Sequence, residues 1–214
     1  MKVIFIGPPG SGKGTQAKRL ADRFDIPHVS TGDMLRQAVQ SGTALGKEAA
    51  PIMAAGALVP DELMIGIIQD RLSEADATSG YVLDGFPRTT EQAQKLEPIL
   101  RGNEGASARV LQLLVPDDLI VGRLSGRLSC IKCGSAYHQK NNPPKVANVC
   151  DRCGSELTVR PDDTEQAVRK RLESFHRQTL PVVAFYRDKN VLHEVDGNAS
   201  VDQVFERIER LVGE

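Results

Sequence analysis

The chain has 214 residues, and its 27 lysines and arginines nearly balance 28 aspartates and glutamates, which gives a net charge of −1. The composition, with 40% hydrophobic and 26% charged residues, excludes a disordered or fibrous chain, and the near-zero charge excludes a generally basic nucleic-acid-binding protein. No apolar run approaches the ~18 residues of a membrane helix, and residues 1–6 are too short for a signal peptide, so we expect a cytoplasmic protein without a membrane partner.

Five short apolar runs alternate with longer helical patterns along the chain. These runs occupy residues 3–6, 27–30, 81–83, 110–115 and 191–195. Continuous apolar strands that are separated by helices are typical of a buried parallel sheet with helices on both faces. The sequence therefore predicts an α/β fold, and its length suits one domain with insertions.

Helices are expected between these runs. Residues 16–24 and 61–74 have helical patterns, and a long helix after residue 163 should end or kink near Pro181, because proline lacks the N–H that a helix interior needs. The last helix is the clearest, since six apolar side chains form one stripe at helical spacing. They are Val201, Val204, Phe205, Ile208, Leu211 and Val212. Ser200 and Gln203 form a capping-box pattern at its start.

Two segments interrupt the alternation and predict insertions into the α/β core. Residues 30–59 have the pattern of small helices separated by Gly42, Gly46 and Gly56. Residues 127–162 have no helical stripe and contain all four cysteines. The expected core comprises residues 1–29, 60–126 and 163–214.

The first apolar run leads into a glycine-rich turn, GPPGSGK at residues 7–13. It fits the phosphate-loop pattern G-x-x-x-x-G-K and has the preceding strand and following helix that this pattern requires. In such a loop the backbone N–H groups point at an anion, the helix N-terminus adds partial positive charge, and Lys13 reaches the outer phosphates. The flanking strand and helix disfavour the alternative, a plain glycine turn with an exposed lysine.

Three residues near this loop indicate how magnesium would be bound. Gly14 replaces the Ser or Thr that usually follows the lysine and ligates Mg²⁺, so we expect phosphates and waters to hold the ion, with Thr15 assisting. Asp84 ends the third apolar run, where a carboxylate can orient the waters of phosphate-bound Mg²⁺. The alternative for Asp84 is a helix cap or turn, and the neighbouring phosphate loop favours the magnesium role.

The four cysteines have the spacing C-x₂-C-x₁₆-C-x₂-C, which is typical of a zinc ribbon. They are Cys130, Cys133, Cys150 and Cys153. Four thiolates leave no open position on the metal, so the site should be structural. Disulfides, free cysteines and a redox C-x-x-C are the alternatives, and His138 is a less favoured further ligand. The insertion has few apolar residues, and a metal supplies the stability that burial cannot.

Motifs along essentially the whole chain resemble those of adenylate kinases. They are GPPGSGKGT (7–15), STGDMLR (30–36), DGFPR (84–88), VPD (115–117), GR (126–127), RPDD (160–163) and VDG (195–197). The cysteine-bearing insertion is similar to that of the long, zinc-containing bacterial type. The resemblance implies a P-loop five-stranded parallel sheet sandwiched by helices, an AMP-binding insertion over residues 30–59, and a zinc-ribbon lid over residues 127–162.

The resemblance also implies a reaction and its residues. MgATP and AMP would give two ADP, which maintains the balance of adenine nucleotides, and the enzyme would be a monomer. For ATP it implies Gly10, Ser11, Gly12, Lys13, Gly14, Thr15, Arg123, Arg127, Ala136, Tyr137 and Ala199. For AMP it implies Thr31, Arg36, Ala57, Leu58, Val59, Gly85, Phe86, Pro87, Arg88 and Gln92. Arg160 and Arg171 would reach the phosphates from the lid side.

The chemistry of this reaction suits the residue types. Phosphoryl transfer between nucleotides brings two polyanions together and needs positioning and charge stabilisation without a protein nucleophile. Guanidinium groups bind phosphate bidentately and keep their charge. The expected catalytic residues are Lys13, Asp84, Arg88, Arg123, Arg160 and Arg171. Solvated surface arginine is the alternative for each, above all for Arg123, since Arg-x-x-x-Arg is also the pattern of an exposed helix face.

Fewer residues indicate which nucleotide is the acceptor and which alternative functions are possible. Thr31 fits AMP-using kinases, and the Gln92 amide can hydrogen-bond an adenine edge, although Thr89 and Gln92 also form a capping-box pattern. The nearest alternative is a kinase that uses GTP or another monophosphate. A P-loop switch lacks recognisable switch loops here, and a zinc-ribbon nucleic-acid module is disfavoured because only Tyr137 could stack on bases.

One residue conflicts with direct transfer of family geometry. Pro51 falls inside an expected helix of the AMP-binding insertion, so we predict a break, a kink or a new helix start there. Ala57 stands where relatives often have lysine, and because only its backbone is implicated, we expect little loss.

Overall fold

A five-stranded parallel sheet forms the centre of the protein, whose computed structural model describes residues 1–101 and 108–213. The strands of the chain are β1 (Lys2–Ile6), β2 (His28–Ser30), β3 (Tyr81–Asp84), β4 (Arg109–Leu114), β5 (Arg127–Cys130), β6 (Ala136–His138), β7 (Leu157–Thr158) and β8 (Leu192–Asp196). The main sheet has the order β2-β3-β1-β4-β8, all parallel. It contains all five predicted apolar runs and confirms the α/β prediction.

Helices cover both faces of this sheet. They are α1 (Lys13–Phe24), α2 (Thr31–Gln40), α3 (Ala44–Ala54), α4 (Asp61–Leu72), α5 (Thr90–Arg101), α6 (Asp117–Ser125), α7 (Glu165–Ser174), α8 (Leu180–Arg187) and α9 (Val201–Gly213). Alternate residues of β1 face opposite sides: Val3 and Phe5 pack with α1 and α9, while Ile4 and Ile6 pack with α4, α5 and α8. Two-sided burial explains why the strands are apolar without alternation.

The predicted capping box of the last helix is confirmed. Gln203 N–H donates to Ser200 Oγ over 3.3 Å, and Ser200 N–H donates to Gln203 Oε1 over 3.2 Å, so the capping box of α9 is complete. The helix predicted after residue 163 does not end before Pro181: α7 continues into a π-helical turn over Phe175–Thr179 and then into α8, with no non-helical residue between them. The π-helical turn lies directly before Pro181, whose missing N–H cannot continue the α-helical ladder.

The break or new helix start predicted at Pro51 is wrong, because α3 runs without interruption through it. Proline deprives the carbonyl group of Lys47 of its helical partner, but Lys47 and Pro51 are both exposed, so water can satisfy that carbonyl. Gly46 also lies inside α3 and does not separate helices. A Cβ there would stand 2.0 Å from the carbonyl oxygen of Ala38, so glycine permits the close contact between α3 and α2.

A second, antiparallel sheet has the order β6-β5-β7 and lies within residues 127–162, which we call the cysteine segment. Its buried core contains only Leu128, Cys130, Cys150 and Leu157. Ile131, Val146 and Val159 are exposed, although they are apolar. Among the described residues, no helix is both long enough and apolar enough to cross a bilayer.

Candidate phosphate-transfer site

The glycine-rich turn connects β1 to α1 as predicted. Gly12 is the N-cap of α1 and has φ 93°, and it offers no side chain to the free N–H groups of the first helical turn. Lys13 folds back over the loop, where its Nζ donates to the carbonyl oxygens of Gly7 (2.7 Å) and Pro8 (2.8 Å). The loop therefore combines free backbone donors, a helix N-terminus and an ammonium group, which is the arrangement that binds phosphate.

Burial acts most strongly on the Lys13 ammonium and lowers its pKa to about 7. The charges of Arg88, Arg171 and Arg127 add to this effect, while the Asp84 carboxylate opposes it. The loop is thus surrounded by more positive than negative charge. A bound polyanion would relieve this repulsion.

Asp84 ends β3 beside the loop, and its environment explains why residue 14 is glycine. A Cβ on Gly14 would stand 3.2 Å from Asp84 Oδ2, so a larger residue would press on the carboxylate. His28 Nε2 lies 3.6 Å from the same oxygen. Burial acts to raise the pKa of Asp84, but the His28 contact and the charges of Lys13 and Arg88 together hold it below its usual value.

Five of the six predicted arginines converge opposite the loop, and carboxylates pair four of them. Arg36 donates to Asp33 Oδ1, and Arg160 Nη2 lies 3.9 Å from the same oxygen. The structure thereby joins one arginine of α2 to one that follows β7.

A second carboxylate joins two further arginines. Arg127 donates to both oxygens of Asp163, and Arg171 Nη1 lies 3.2 Å from Asp163 Oδ1. Arg171 Nη1 also lies 3.1 Å from Asp162 Oδ2. The charges of Arg171 and its neighbours hold the pKa of Asp162 below its usual value against the opposing effect of burial.

Sequence reasoning assigned no role to three of these carboxylates, Asp33, Asp162 and Asp163, although all three lie inside quoted motifs. Their positions next to arginines in STGDMLR and RPDD were the available signal. In total, six cations (Lys13, Arg36, Arg88, Arg127, Arg160 and Arg171) share the site with four carboxylates (Asp33, Asp84, Asp162 and Asp163). Positive charge is in excess, as a site for two polyphosphates requires.

Arg88 lies in the turn after β3, where its Nε donates to the carbonyl oxygen of Gly85 over 2.7 Å. Burial, followed by the charge of Arg171, lowers the pKa of Arg88 to about 10. Burial likewise lowers the pKa of Arg160 to about 10. Both groups remain charged at neutral pH and lie in a poorly solvated setting that strengthens their pull on phosphate.

Arg123 lies apart from this cluster. Its Nη2 donates to the carbonyl oxygen of Gly197 over 3.1 Å, and it lines a cavity of about 600 Å³ between α6, the loop after β6 and Asn198. Ala199, the next residue, is partly buried against the core of α1 and α9. His138 also lines this cavity, and its Nδ1 accepts hydrogen bonds from two backbone N–H groups. As expected, it is not part of the metal-ligand cluster that the four cysteines form.

The predicted residues Ala136 and Tyr137 lie on β6. Ala136 is exposed, whereas the Tyr137 hydroxyl points toward the cysteines, where it accepts from the N–H of Asp151 (2.9 Å) and lies 3.6 Å from Cys150 Sγ. The structure therefore gives the Tyr137 hydroxyl a contact beside the cysteine cluster, and its role toward ATP stays a prediction.

The residues predicted for AMP gather around the turn after β3. Thr31 Oγ1 donates to the carbonyl oxygen of Gly85 over 2.9 Å, and Phe86 and Pro87, joined by a cis peptide bond, are buried. The segment Ala57, Leu58 and Val59 becomes progressively more buried along its length. It follows Gly56, whose position is close to the backbone of Ala167 and the side chain of Arg171.

Gln92 takes part in the cap that its sequence context suggested, while its contact with an adenine edge stays a prediction. Its N–H donates to Thr89 Oγ1 over 3.1 Å, which is half of a capping box. Its side-chain oxygen accepts from the N–H of Arg88 over 2.7 Å, and its side-chain nitrogen donates to Asp61 Oδ1 over 2.7 Å. Asp61 was not singled out from the sequence, and it is brought here from the first residue of α4.

The four cysteine sulfurs lie within 4.8 Å of one another, and the structure describes all four without a disulfide. Tetrahedral zinc with Zn–S bonds of about 2.3 Å needs sulfurs about 3.8 Å apart, so these residues fit a zinc ion. Two equivalent turns present them: the N–H of Gly134 donates to the Cys130 carbonyl (3.0 Å), and that of Gly154 to the Cys150 carbonyl (2.8 Å). Both glycines have φ near 70°, which suits glycine.

The cysteine segment also contacts the helices near the phosphate loop. Lys18 on α1 donates to the carbonyl oxygen of Cys133, and Arg152 lies 3.9 Å from Asp22 on the same helix. The turn at Gly134 thus lies against α1. Arg127 and Arg160 belong to the same segment.

Comparison with known proteins gives one consistent result. A family model described as adenylate kinase matches residues 5–191. The adenylate kinase of Methanosarcina acetivorans is 51% identical over 212 residues, covering 99% of this chain and 98% of the relative. Those of Clostridium acetobutylicum (48% over 214 residues) and Lachnospira eligens (47% over 213 residues) are similar over 100% of both chains.

Proposed function

Because this chain belongs to the adenylate kinase family and catalyses reversible phosphoryl transfer between ATP and AMP, we propose which of its residues perform the transfer. The observation that carries the proposal is the convergence of Lys13 and five arginines on one phosphate loop. Phosphoryl transfer needs such positioning and charge stabilisation more than it needs a protein nucleophile.

The donor MgATP is held by the loop residues from Gly10 to Thr15. The free N–H groups at the start of α1 and the Lys13 ammonium bind its phosphates. The cavity at Arg123, together with Ala136, Tyr137 and Ala199, takes the nucleoside, and Arg127 binds a phosphate. Asp84, with Thr15, would orient the waters of the magnesium that accompanies the substrate, and this ion would offset phosphate charge.

The acceptor AMP lies on the other side, against the turn after β3. Thr31, the segment Ala57, Leu58 and Val59, and the turn Gly85, Phe86 and Pro87 surround the nucleoside. Arg36 and Arg88 bind its phosphate, and Gln92 reads the adenine edge. Proximity of Thr31 Oγ1 to Gly85 and the contact of Gln92 with Arg88 support this grouping.

Transfer follows when both nucleotides are aligned. Arg88, Arg160 and Arg171 neutralise the charge that spreads over the transferred group, and Arg123 steadies the donor. In this account residues 30–59 act as the AMP-binding insertion and residues 127–162 as the lid over a core of residues 1–29, 60–126 and 163–214. Closure of both excludes the water that would otherwise hydrolyse ATP.

Zinc held by the four cysteines gives the lid its shape. A closed tetrahedral thiolate site supplies structure and no catalytic position. The same proposal includes a monomer in the cytoplasm that has no nucleic-acid or membrane partner. The family resemblance and the net charge suggest these properties. Size-exclusion chromatography with light scattering tests the monomer.

The deciding assay presents MgATP or MgGTP with AMP, GMP, CMP or UMP and quantifies the diphosphates by ion-exchange chromatography. We expect ADP from MgATP and AMP, and little hydrolysis without an acceptor. Lys13→Met should lower transfer by roughly 10³-fold with the fold intact. Lys170→Met removes an exposed lysine of α7 and serves as the matched control. ATP hydrolysis without transfer, or full activity of Lys13→Met, would contradict the proposal.

A further inference from the structure

The Asp61 carboxylate connects the first residue of α4 to the start of α5. Thr89 Oγ1 donates to Asp61 Oδ2 over 2.5 Å, and Gln92 Nε2 donates to Asp61 Oδ1 over 2.7 Å. Both partners lie within the first residues of α5 or just before it, about thirty positions further along the chain. Asp61 therefore holds the one amide side chain that the proposed function places against the acceptor base.

This contact fixes the direction of the Gln92 amide. An ionised carboxylate only accepts hydrogen bonds, and a backbone N–H only donates. Asp61 therefore requires the amide nitrogen of Gln92 on its side, and the N–H of Arg88 requires the amide oxygen on the other. A flipped amide would place two acceptors together at Asp61 and two donors together at Arg88, each at the cost of a lost hydrogen bond.

The fixed amide retains one unused N–H and one unused lone pair. A primary amide has two donors and two acceptor lone pairs, and among the described residues each Gln92 atom has one partner. Gln92 is only 2% exposed, so these remaining groups are not supplied with bulk water. A ligand that enters beside Gln92 must therefore present a hydrogen-bond acceptor to the unused N–H and, next to it, a donor to the unused lone pair.

The Watson–Crick edge of adenine has this order, because N1 accepts and the 6-amino group donates. Hypoxanthine and guanine have the opposite order, since N1–H donates and O6 accepts. A site built to hydrogen-bond one pattern rejects the other strongly, because its own buried polar groups would be left unpaired. The direction of the amide then decides which purine monophosphate is accepted.

We propose that Asp61 is a specificity-determining positioning residue, which selects AMP over purine monophosphates with a 6-oxo group by holding the Gln92 amide in one orientation. The inference rests on the proposed contact between Gln92 and the acceptor base. Asp61 itself touches neither nucleotide in this account. Its effect reaches the substrate through Gln92 alone.

The test compares AMP with inosine monophosphate as acceptors for MgATP in wild type and Asp61→Asn. Asparagine keeps the size of the side chain but both donates and accepts, so it tolerates either amide orientation. We expect the ratio of kcat/KM for AMP to that for inosine monophosphate to fall about tenfold. The KM for AMP should rise, with kcat at saturation and the KM for ATP nearly unchanged.

Two control variants separate positioning from stability. Glu62→Gln removes the same charge from the same first turn of α4, but Glu62 is exposed, so it should leave the ratio unchanged. Thr89→Val removes the other partner of Asp61 and also the Oγ1 that accepts from the Gln92 backbone N–H, but it leaves the Asp61 contact with the Gln92 amide, so it should preserve the ratio even if it lowers stability. Thermal melts of all variants report their stability. If Asp61→Asn does not fold, Asp61→Ala takes its place in the comparison.

The outcomes are distinguishable. A wild type that uses inosine monophosphate as well as AMP would contradict the proposed contact of Gln92 with adenine. A selective wild type whose Asp61 variants keep the wild-type ratio would overturn the present inference alone. A ratio that falls equally in Glu62→Gln would also overturn it, because the effect would then follow the stability of α4.

Discussion

The main sheet and the cysteine segment are held together by different forces. Strands of the main sheet are buried on both faces, and residues such as Ile4 and Leu111 are completely inaccessible to solvent. The cysteine segment buries only four hydrophobic residues, two of which are cysteines, and leaves Ile131 58% exposed. Burial suffices for the first region, whereas a segment as small as the second needs a cross-link such as a metal ion.

Both regions nevertheless supply cations to the same site. Lys13 comes from the loop after β1, while Arg127 lies on β5 and Arg160 is held by Ser129 of that strand over 2.8 Å. Of the six cations in the site, two therefore belong to the cysteine segment, and the other four come from the rest of the chain. Variants can disturb either group separately.

Arg88→Lys should have the largest effect, a roughly 10³-fold loss of kcat. Arginine stays charged in this buried position, where its pKa falls to about 10. A lysine there would lose both the bidentate fork and much of its charge, since burial nearby lowers the pKa of Lys13 to about 7. Steady-state kinetics measure the loss, and the melting temperature should change little.

Arg169→Lys is the matched control, because Arg169 is exposed on α7 and, within the part of the chain that the structure describes, pairs only with Glu165 at the surface. It should keep wild-type activity. Equal rates for both variants would show that Arg88 takes no part in the transfer. The excess positive charge of the site would then have no role in catalysis.

Cys130→Ser should separate the two regions. We expect the metal content to fall from one ion per chain to a small fraction, and kcat to fall by roughly 10²-fold, because Arg127 and Arg160 lose their support. The main sheet should stay folded, since its core does not include the cysteine segment. Atomic absorption gives the metal content, and NMR of the buried methyl groups of β1 reports the core.

Ile131→Ser places the same new side chain one position later, at an exposed residue, and should keep metal and activity. If Cys130→Ser retained one metal ion per chain, the four-cysteine site would be rejected. Collapse of the main sheet in that variant would show that the two regions are not independent.

Lys18→Met tests the contact between the regions. Removing the hydrogen bond from Lys18 to the Cys133 carbonyl should weaken closure of the cysteine segment on α1, and the KM for ATP should rise about two- to fivefold. Lys95→Met, at an exposed position of α5, is the control. An unchanged KM would show that this contact does not stabilise the ATP-bound form.

Proton linkage at Lys13 should be the smallest effect. Its pKa of about 7 lies below the ordinary 10.5, so between these values the unfolded chain holds more protons, and this group makes stability rise with pH. Bound phosphates should restore the charge, so MgATP binding should take up as much as roughly one proton above pH 7. Calorimetry in buffers of different ionisation enthalpy measures the uptake.

Lys13→Met should abolish that uptake while Lys170→Met preserves it. Proton release in place of uptake, or equal uptake by both variants, would contradict the assignment of the low pKa to Lys13.

Local patterns allowed much of the fold and site to be predicted. The apolar runs identified all five strands of the main sheet, and the glycine and cysteine spacings located the phosphate loop and the sulfur cluster. Each of these features depends on residues close together in sequence. The Pro51 prediction failed because it weighed the lost hydrogen bond without knowing that the freed carbonyl is exposed.

Local patterns are therefore enough to predict the helices, the strands and the residue types of the site, because helix and strand periodicity, turn glycines and metal spacing act over a few residues. Three features of the site depend instead on how distant elements pack: the pairing of Arg127 with Asp163, the closeness of Gly14 to Asp84, and the hydrogen bond from Gln92 to Asp61. Those contacts join residues tens of positions apart. Their geometry follows from how the helices and sheets pack, which no local spacing encodes.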